Sequence, residues 1–250
     1  MDAEKNQPAA RPPLEHGHEV SEIRERLSAG PQISYLRDWI YGGIDGAVTT
    51  FAVVAGVAGA ELSSETLLIL GAANLVADGF SMAASNFTGT KAEREDHARL
   101  KVVERRHIAL VPEGEREEIR QIFAAKGFEG AELERLVKII TSNESAWINT
   151  MLAEEYGLPS DPRSPWTAAV TTFAAFGVCG LAPLLPYLMG GGLFISTVVT
   201  GLTFFAIGSV KSRWSLTSWW RSGLETLAIG MSAAGLAYAV GYALKASFGA

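Results

Sequence analysis

Two carboxylates sit in stretches of sequence that give them no water. Asp45 lies in YGGIDGAVTTF and Asp78 in GAANLVADGFSMAASNF, each inside an apolar run. A carboxylate in hydrocarbon is costly, so it persists where it faces a pathway, a partner or a bound cation. Asn74, Asp78 and Met82 follow one another at i, i+4 and i+8, which puts them on one stripe of one helix. Carboxylate and amide oxygens suit hard cations and a thioether suits softer ones. A site combining them fits Fe(II), Mn(II) or a similar transition ion better than calcium or sodium. Gly42, Gly43 and Gly46 around Asp45 leave room for another helix to come close.

A second constellation lies further along, in a charged segment. Glu104 and His107 occur in ERRH, Glu115 and Glu118 in EREE, and Met151 with Glu154 and Glu155 in MLAEE. Glu-x-x-His and Glu-x-x-Glu place two ligands on adjacent turns facing one point, as carboxylate iron sites in helical bundles do. Any one such pair also reads as a solvated helix face. Three in one short segment point to metal ligation.

Positioning these groups takes helices in two solvents. Of the 250 residues 48% are hydrophobic and 19% charged, and 27 of the 48 charged residues fall between Lys91 and Arg163. Runs near 20 apolar residues, enough to cross ~30 Å of hydrocarbon at ~1.5 Å per residue, occur at about 39–60, 66–89, 166–188, 191–210 and 224–246. The fold class expected is therefore all-α: a polytopic membrane protein with five transmembrane helices and a cytoplasmic helical metal-binding domain between the second and third. The expected divisions are a polar N-terminal tail over 1–33, spans one and two over 34–90, the cytoplasmic domain over 91–163, and spans three to five over 164–250.

Short cytoplasmic connections collect Lys and Arg. Lys5, Arg11, Arg24, Arg26 and Arg37 precede the first span, twelve basic residues separate the second from the third, and Lys211, Arg213 and Arg221 lie between the fourth and fifth. The segments Glu61 to Glu65 and Met189 to Gly192 have none. This alternation puts the N-terminus in the cytoplasm, with Lys245 alone towards the far side.

The tail to about Gly30 is polar, with Pro8, Pro12, Pro13, His16 and His18, and its two histidines share no helix face. It lacks the apolar core of a secretory signal, and SEIRERLSA after Val20 reads as a short surface helix. The second span is expected to continue as one helix to Leu110, where Pro112 stops it. Three more helices follow, with Ile119, Ile122, Phe123, Leu133, Leu136, Val137, Ile140, Trp147, Ile148 and Leu152 at helical spacing. Pro183 and Pro186 foretell a kink near the outer end of the third span, tolerable where neighbouring helices satisfy the freed carbonyls. Gly190, Gly191 and Gly192 make the turn into the fourth.

A net charge of -6 excludes a nucleic-acid partner held by phosphate neutralisation. The single cysteine, Cys179, excludes an intramolecular disulfide and a thiolate zinc site.

The runs YGGIDGAVTTFAVVAGVAGA, NLVADGFSMAASNF, TKAEREDHARL and SGLETLAIG strongly resemble the vacuolar iron transporter family of Fe(II) and Mn(II) transporters, over about Ser34 to Leu244. The resemblance implies a five-span homodimer in the lipid bilayer that moves Fe(II), often Mn(II), out of the cytoplasm in exchange for protons. It implies an intramembrane site at Asp45 and Met82, with Asp38 at the cytoplasmic approach. It also implies cytoplasmic ligands at Glu104, Glu115, Glu118, Met151 and Glu155. The chain departs from several plant members in having Asn74 and His107 where they have glutamate, and Leu152 where they have a second methionine; Co(II) and Zn(II) thereby join Fe(II) and Mn(II) as metals to weigh.

The expected mechanism is alternating access, with protons from the far side competing for Asp45. Glu225 is a candidate for the proton path, against a pair with Arg221 one turn before it. No prosthetic group and no enzymatic activity are expected. The rival readings are a membrane-anchored di-iron oxidase and an intramembrane aspartyl protease using two aspartates as a dyad. With no sorting signal evident, the membrane expected is a bacterial plasma membrane.

Overall fold

The computed structural model describes residues 16–31 and 33–248; the N-terminal part of the expected tail, with Pro8, Pro12 and Pro13, lies outside them. The chain divides into two units, one up to Ser34 and one from Tyr35 onward. In the first, α1 (Val20–Ser28) is the short helix expected after Val20, its N-terminus closed by reciprocal bonds between Glu19 and Glu22. The second unit is all-helical among the described residues.

Among the described residues, four of its helices are long and apolar enough to cross a membrane. They are α2 (Leu36–Gly59), the first part of α3 (Ser64–Leu110), α9 (Leu193–Lys211) and α10 (Trp219–Phe248). The third expected span, 166–188, is not one continuous helix. It is α7 (Pro165–Leu181), a break at Ala182 to Leu184, and the single turn α8 (Leu185–Leu188). Seventeen residues reach only ~25 Å at ~1.5 Å each. The prolines that cause the break, Pro183 and Pro186, leave carbonyls without helical partners, and the neighbouring helix answers one of them: Ser196 Oγ on α9 donates to the buried Pro183 carbonyl at 2.7 Å.

The α2 helix is central, packed against α3, α7, α9 and α10. Where lipid is as apolar as the side chains, helices associate by close packing of small residues. A Cβ at Gly42 would stand 2.4 Å from the Thr172 carbonyl oxygen, and one at Gly46, a turn later, 2.3 Å from that of Phe176. The α2 and α7 backbones therefore touch, as the glycines around Asp45 foretold, and the helix filling the space is the proline-broken one. Gly241 meets Gly56 in the same way between α10 and α2.

The α3 helix runs unbroken for 47 residues, about 70 Å at ~1.5 Å each, out of the apolar region and into the charged segment. Ser63 caps its start, its Oγ accepting from the Thr66 N–H at 3.2 Å, and Pro112 begins α4 (Pro112–Ala125) immediately past its end. Then come α5 (Gly130–Thr141) and α6 (Glu144–Glu154). Ile119, Leu133, Val137, Trp147 and Met151 form the core between α4, α5 and α6, while Leu100, Ile148 and Leu152 fasten α6 to α3. These are largely the residues whose helical spacing marked a small bundle.

Candidate functional site

The bundle gathers its acidic residues at the α3 to α4 corner. Glu104 and His107 come from the last turns of α3 and Glu115 from the first turn of α4, and the helix change at Val111 folds one pair onto the other. One ligand atom from each of the three lies within 4.8 Å of the others. Glu104 is 1% exposed and Glu115 5%, and His107 Nδ1 stands 3.4 Å from Glu115 Oε1. Tyr156, just past α6, donates its hydroxyl to Glu104 Oε1 at 3.0 Å. The second oxygens, Glu104 Oε2 and Glu115 Oε2, are buried with no hydrogen-bond partner.

Burial, together with the neighbouring Glu118 and Glu104, pushes the Glu115 carboxyl up to about 7. Burial, then Glu104 and Glu118, raises Glu155 as well, so Glu118 and Glu155 stand close enough to share the field of the trio. Burial and the bond to Glu104 raise Tyr156. Buried carboxylates with unused oxygens, and with His107 the one basic side chain seen against them among the described residues, are costly unless protonated or bound to a cation. Two carboxylates and an imidazole suit a first-row divalent ion.

Two residues of the expected cytoplasmic set stand otherwise. Glu154 is held in an ion pair by Lys126. Met151 is fully buried in the apolar cluster with Ile119 and Trp147.

A second locus lies where the N-terminal part of α2, the middle of α3 and the start of α7 meet. A cavity of about 350 Å³ is lined by Asp38, Tyr41, Met82, Asn86, Glu93 and Arg163, among others. Asp38 is 4% exposed. Its Oδ1 accepts from Asn86 Nδ2 at 2.8 Å, and its Oδ2 is ion-paired with Arg163. Asn86 also donates to Thr172 Oγ1 at 2.7 Å, tying α2, α3 and α7 together. The cavity brings Met82 together with Asp38, whereas the expected partner of Met82 was Asp45, which does not line it.

Asp45, two turns deeper on α2, and Asp78 do not line this cavity, but their charges lie within interaction range. Asp45 is half-buried and Asp78 exposed. The Asn74 amide nitrogen is buried without a partner. Glu225 sits 3.9 Å from Lys211, while Arg221 lies over the Trp220 ring instead of meeting Glu225. At the opposite end of the apolar helices Lys245 pairs with Glu61.

Sequence spacing missed Asn86, Arg163 and Tyr156. An asparagine one turn beyond Met82 on the same stripe was a readable signal for the first; the other two sit in the irregular connector between α6 and α7, where no periodicity applies.

A profile of the VIT family matches residues 36–242. The chain is 33% identical to vacuolar iron transporter 1 of Arabidopsis thaliana over 208 residues, covering 81% of this chain and 83% of that protein. It is 32% identical to vacuolar iron transporter 1 of Tulipa gesneriana over 215 residues, covering 84% and 87%. It is 30% identical to the vacuolar iron transporter of Toxoplasma gondii over 230 residues, covering 86% and 76%.

Proposed function

The chain belongs to the VIT family, and from that premise we propose that it is a transmembrane transporter that carries Fe(II) or Mn(II) out of the cytoplasm in exchange for protons. The observation carrying this reading is the buried trio of Glu104, His107 and Glu115, with two unpartnered carboxylate oxygens, at the end of a helix that also bears Asn74, Asp78 and Met82. One rigid rod joins a place that collects metal to a place within the membrane.

In this reading α2, the first part of α3, α7 with α8, α9 and α10 are the five spans, residues 91–163 are the cytoplasmic collecting domain, and the N-terminus is cytoplasmic. The glutamates raise the local concentration of metal, with Glu118 and Glu155 at the rim. Asp38 and Met82 receive the ion at the cavity, and Asp45 with Asp78 holds it deeper. Protons arriving from the far side displace it from Asp45, because one carboxylate does not hold both. An exposed Asp78 on a membrane-spanning helix is untenable against lipid. A second copy of the chain covering that face would remove it from hydrocarbon, which supports a homodimer with the path near the contact.

His107 supplies a nitrogen that widens the acceptable ions to Co(II) and Zn(II), and Glu225 beside Lys211 is available to the proton path. The relatives above are named as vacuolar, so the plasma-membrane expectation draws no support from them. The oxidase reading is weaker, because its di-iron site needs a Glu-x-x-His from each of two helices and Glu104 with His107 is the only one in the bundle. The protease reading leaves the bundle without a role.

The test is reconstitution into proteoliposomes with a metal-sensitive dye inside. Uptake of Fe(II) or Mn(II) that accelerates when the lumen is acidic, accompanied by proton release from the lumen, is the expected result. Uptake indifferent to the proton gradient would refute antiport, and no uptake would refute transport.

A further inference from the structure

No spacing in the sequence points to Arg163, yet it makes an ion pair by which α7's leading segment grips α2. It stands just before the N-cap residue Ser164, and its guanidinium reaches Asp38 Oδ2. Its arm is steadied over the Tyr35 ring, 5.2 Å from the centroid, and the Tyr35 hydroxyl in turn accepts from the Ser164 backbone N–H at 2.9 Å. Asn86 holds the other Asp38 oxygen at 2.8 Å. Both carboxylate oxygens of Asp38 are therefore engaged, and the positive charge engaging one of them lines the same cavity as Met82 and Glu93. On the transport reading, a cation bound for Asp38 shares this cavity with Arg163.

We infer that Arg163 is a tethered cation standing in for the metal at Asp38, and that a divalent ion enters by displacing it; this rests on the transport reading above. The arrangement discriminates by charge. Coulomb attraction to Asp38 scales with the charge of the ion, and the guanidinium already supplies one positive charge and one charge-assisted hydrogen bond to Oδ2. A monovalent ion such as K⁺ gains nothing by replacing it and loses the hydrogen bond. A divalent ion gains twice the attraction for the same displacement. Arg163 also offers repulsion to any cation that does not bind strongly enough to move it, which is how a site rejects an abundant competitor. The residue acts through Asp38 and is a positioning and specificity-determining group.

The test is Mn(II) flux in proteoliposomes against Mn(II) concentration, with and without K⁺ outside. Arg163→Gln should lower the half-saturating Mn(II) concentration by roughly tenfold, the scale of a partly exposed charge-assisted hydrogen bond, without raising the maximal rate. K⁺ should now compete. Arg163→Lys should resemble the wild type, and adding Asp38→Asn should abolish the gain. A merely structural arginine would lower the maximal rate and leave half-saturation and K⁺ sensitivity alone, and that outcome overturns the inference.

Should Arg163→Gln not fold, Arg163→Cys can be modified after purification, since Cys179 is only 6% exposed. An aminoethyl adduct, which restores a cation, should have wild-type half-saturation, and a methyl adduct should have the lowered one; equal values for the two overturn the inference. Wild-type vesicles that move no Mn(II) would refute transport itself. Displacement is then read from free Mn(II) by electron paramagnetic resonance in detergent, where Arg163→Gln should bind more tightly than wild type and identical isotherms overturn the inference.

Discussion

Replacing Glu115 by glutamine should make the metal-free protein more stable and the metal-bound protein weaker. The Glu115 carboxyl is raised from 4.5 to about 7 by burial and by Glu118 and Glu104. In the native state it therefore keeps a proton through a range in which the unfolded chain has lost it. The folded form binds more protons between pH 4.5 and about 7, so stability falls as pH rises through that window and the loss is complete above it. At ~1.4 kcal/mol per pH unit the loss has a ceiling of about 3 kcal/mol, lowered in practice because neighbouring glutamates share it.

Glu115→Gln removes the charge and keeps the shape. Without metal, its stability at pH 8 should exceed the wild type by one to a few kcal/mol on that same scale, and the two should converge near pH 4.5. With Mn(II) the order should reverse, because the wild type gains a ligand that the amide supplies poorly. The assay is thermal unfolding of the detergent-solubilised full chain, followed by the fluorescence of Trp147 in the bundle core with the other tryptophans as background. It is run at pH 5 and pH 8, with and without Mn(II). A glutamine variant no more stable than the wild type at pH 8 in chelator, or one stabilised by Mn(II) as much as the wild type, would refute the reasoning.

Asp45→Ala should reduce Mn(II) flux to the level of empty vesicles in a protein that still elutes and melts as folded, Asp45→Glu should retain part of it, and Met82→Ala should be milder than either loss. Gly46→Ala drives a methyl into the Phe176 backbone and should destabilise by about 1–3 kcal/mol or more, whereas Gly177→Ala meets nothing within 4 Å and should be neutral or slightly stabilising; comparable melting losses in both would refute the close α2 to α7 contact. Ser196→Ala leaves the Pro183 carbonyl at the α7 to α8 break unsatisfied and should cost about 1 kcal/mol, read as a lowered melting temperature with the helical content unchanged.

Much of the architecture was legible because hydrocarbon makes sequence speak plainly. The apolar lengths marked the helices, Pro112 and the glycines after Met189 marked their ends, and the prolines at 183 and 186 marked the broken one. That break shortened α7 below a full span, which the composition of residues 166–188 concealed, since an apolar residue in a turn counts the same as one in a helix. In the bundle the three Glu- and His-bearing pairs were visible as spacing, but spacing treats all members alike. Glu104, His107 and Glu115 converge, while Glu154, adjacent to Glu155, is taken by Lys126. Which neighbour turns inward depends on where α6 ends and the connector bends, and residues 155–164 carry no period that says so.

The sequence by itself determined which residues are expensive to leave where they are. Asp45, Asp78 and the acidic face of the bundle stand out because desolvating a carboxylate costs more than helix propensity or packing can hide, and that cost depends only on local composition. Tertiary structure alone decided what each carboxylate meets. Asp38 finds Arg163 across 125 residues of sequence, and Glu104 finds Tyr156 across 52, because glycine faces set the helices side by side and a connector folds back between them. Helical periodicity says which face a residue occupies, whereas the partner across that face is chosen by packing between helices, where shape acts at distances the chain order does not record.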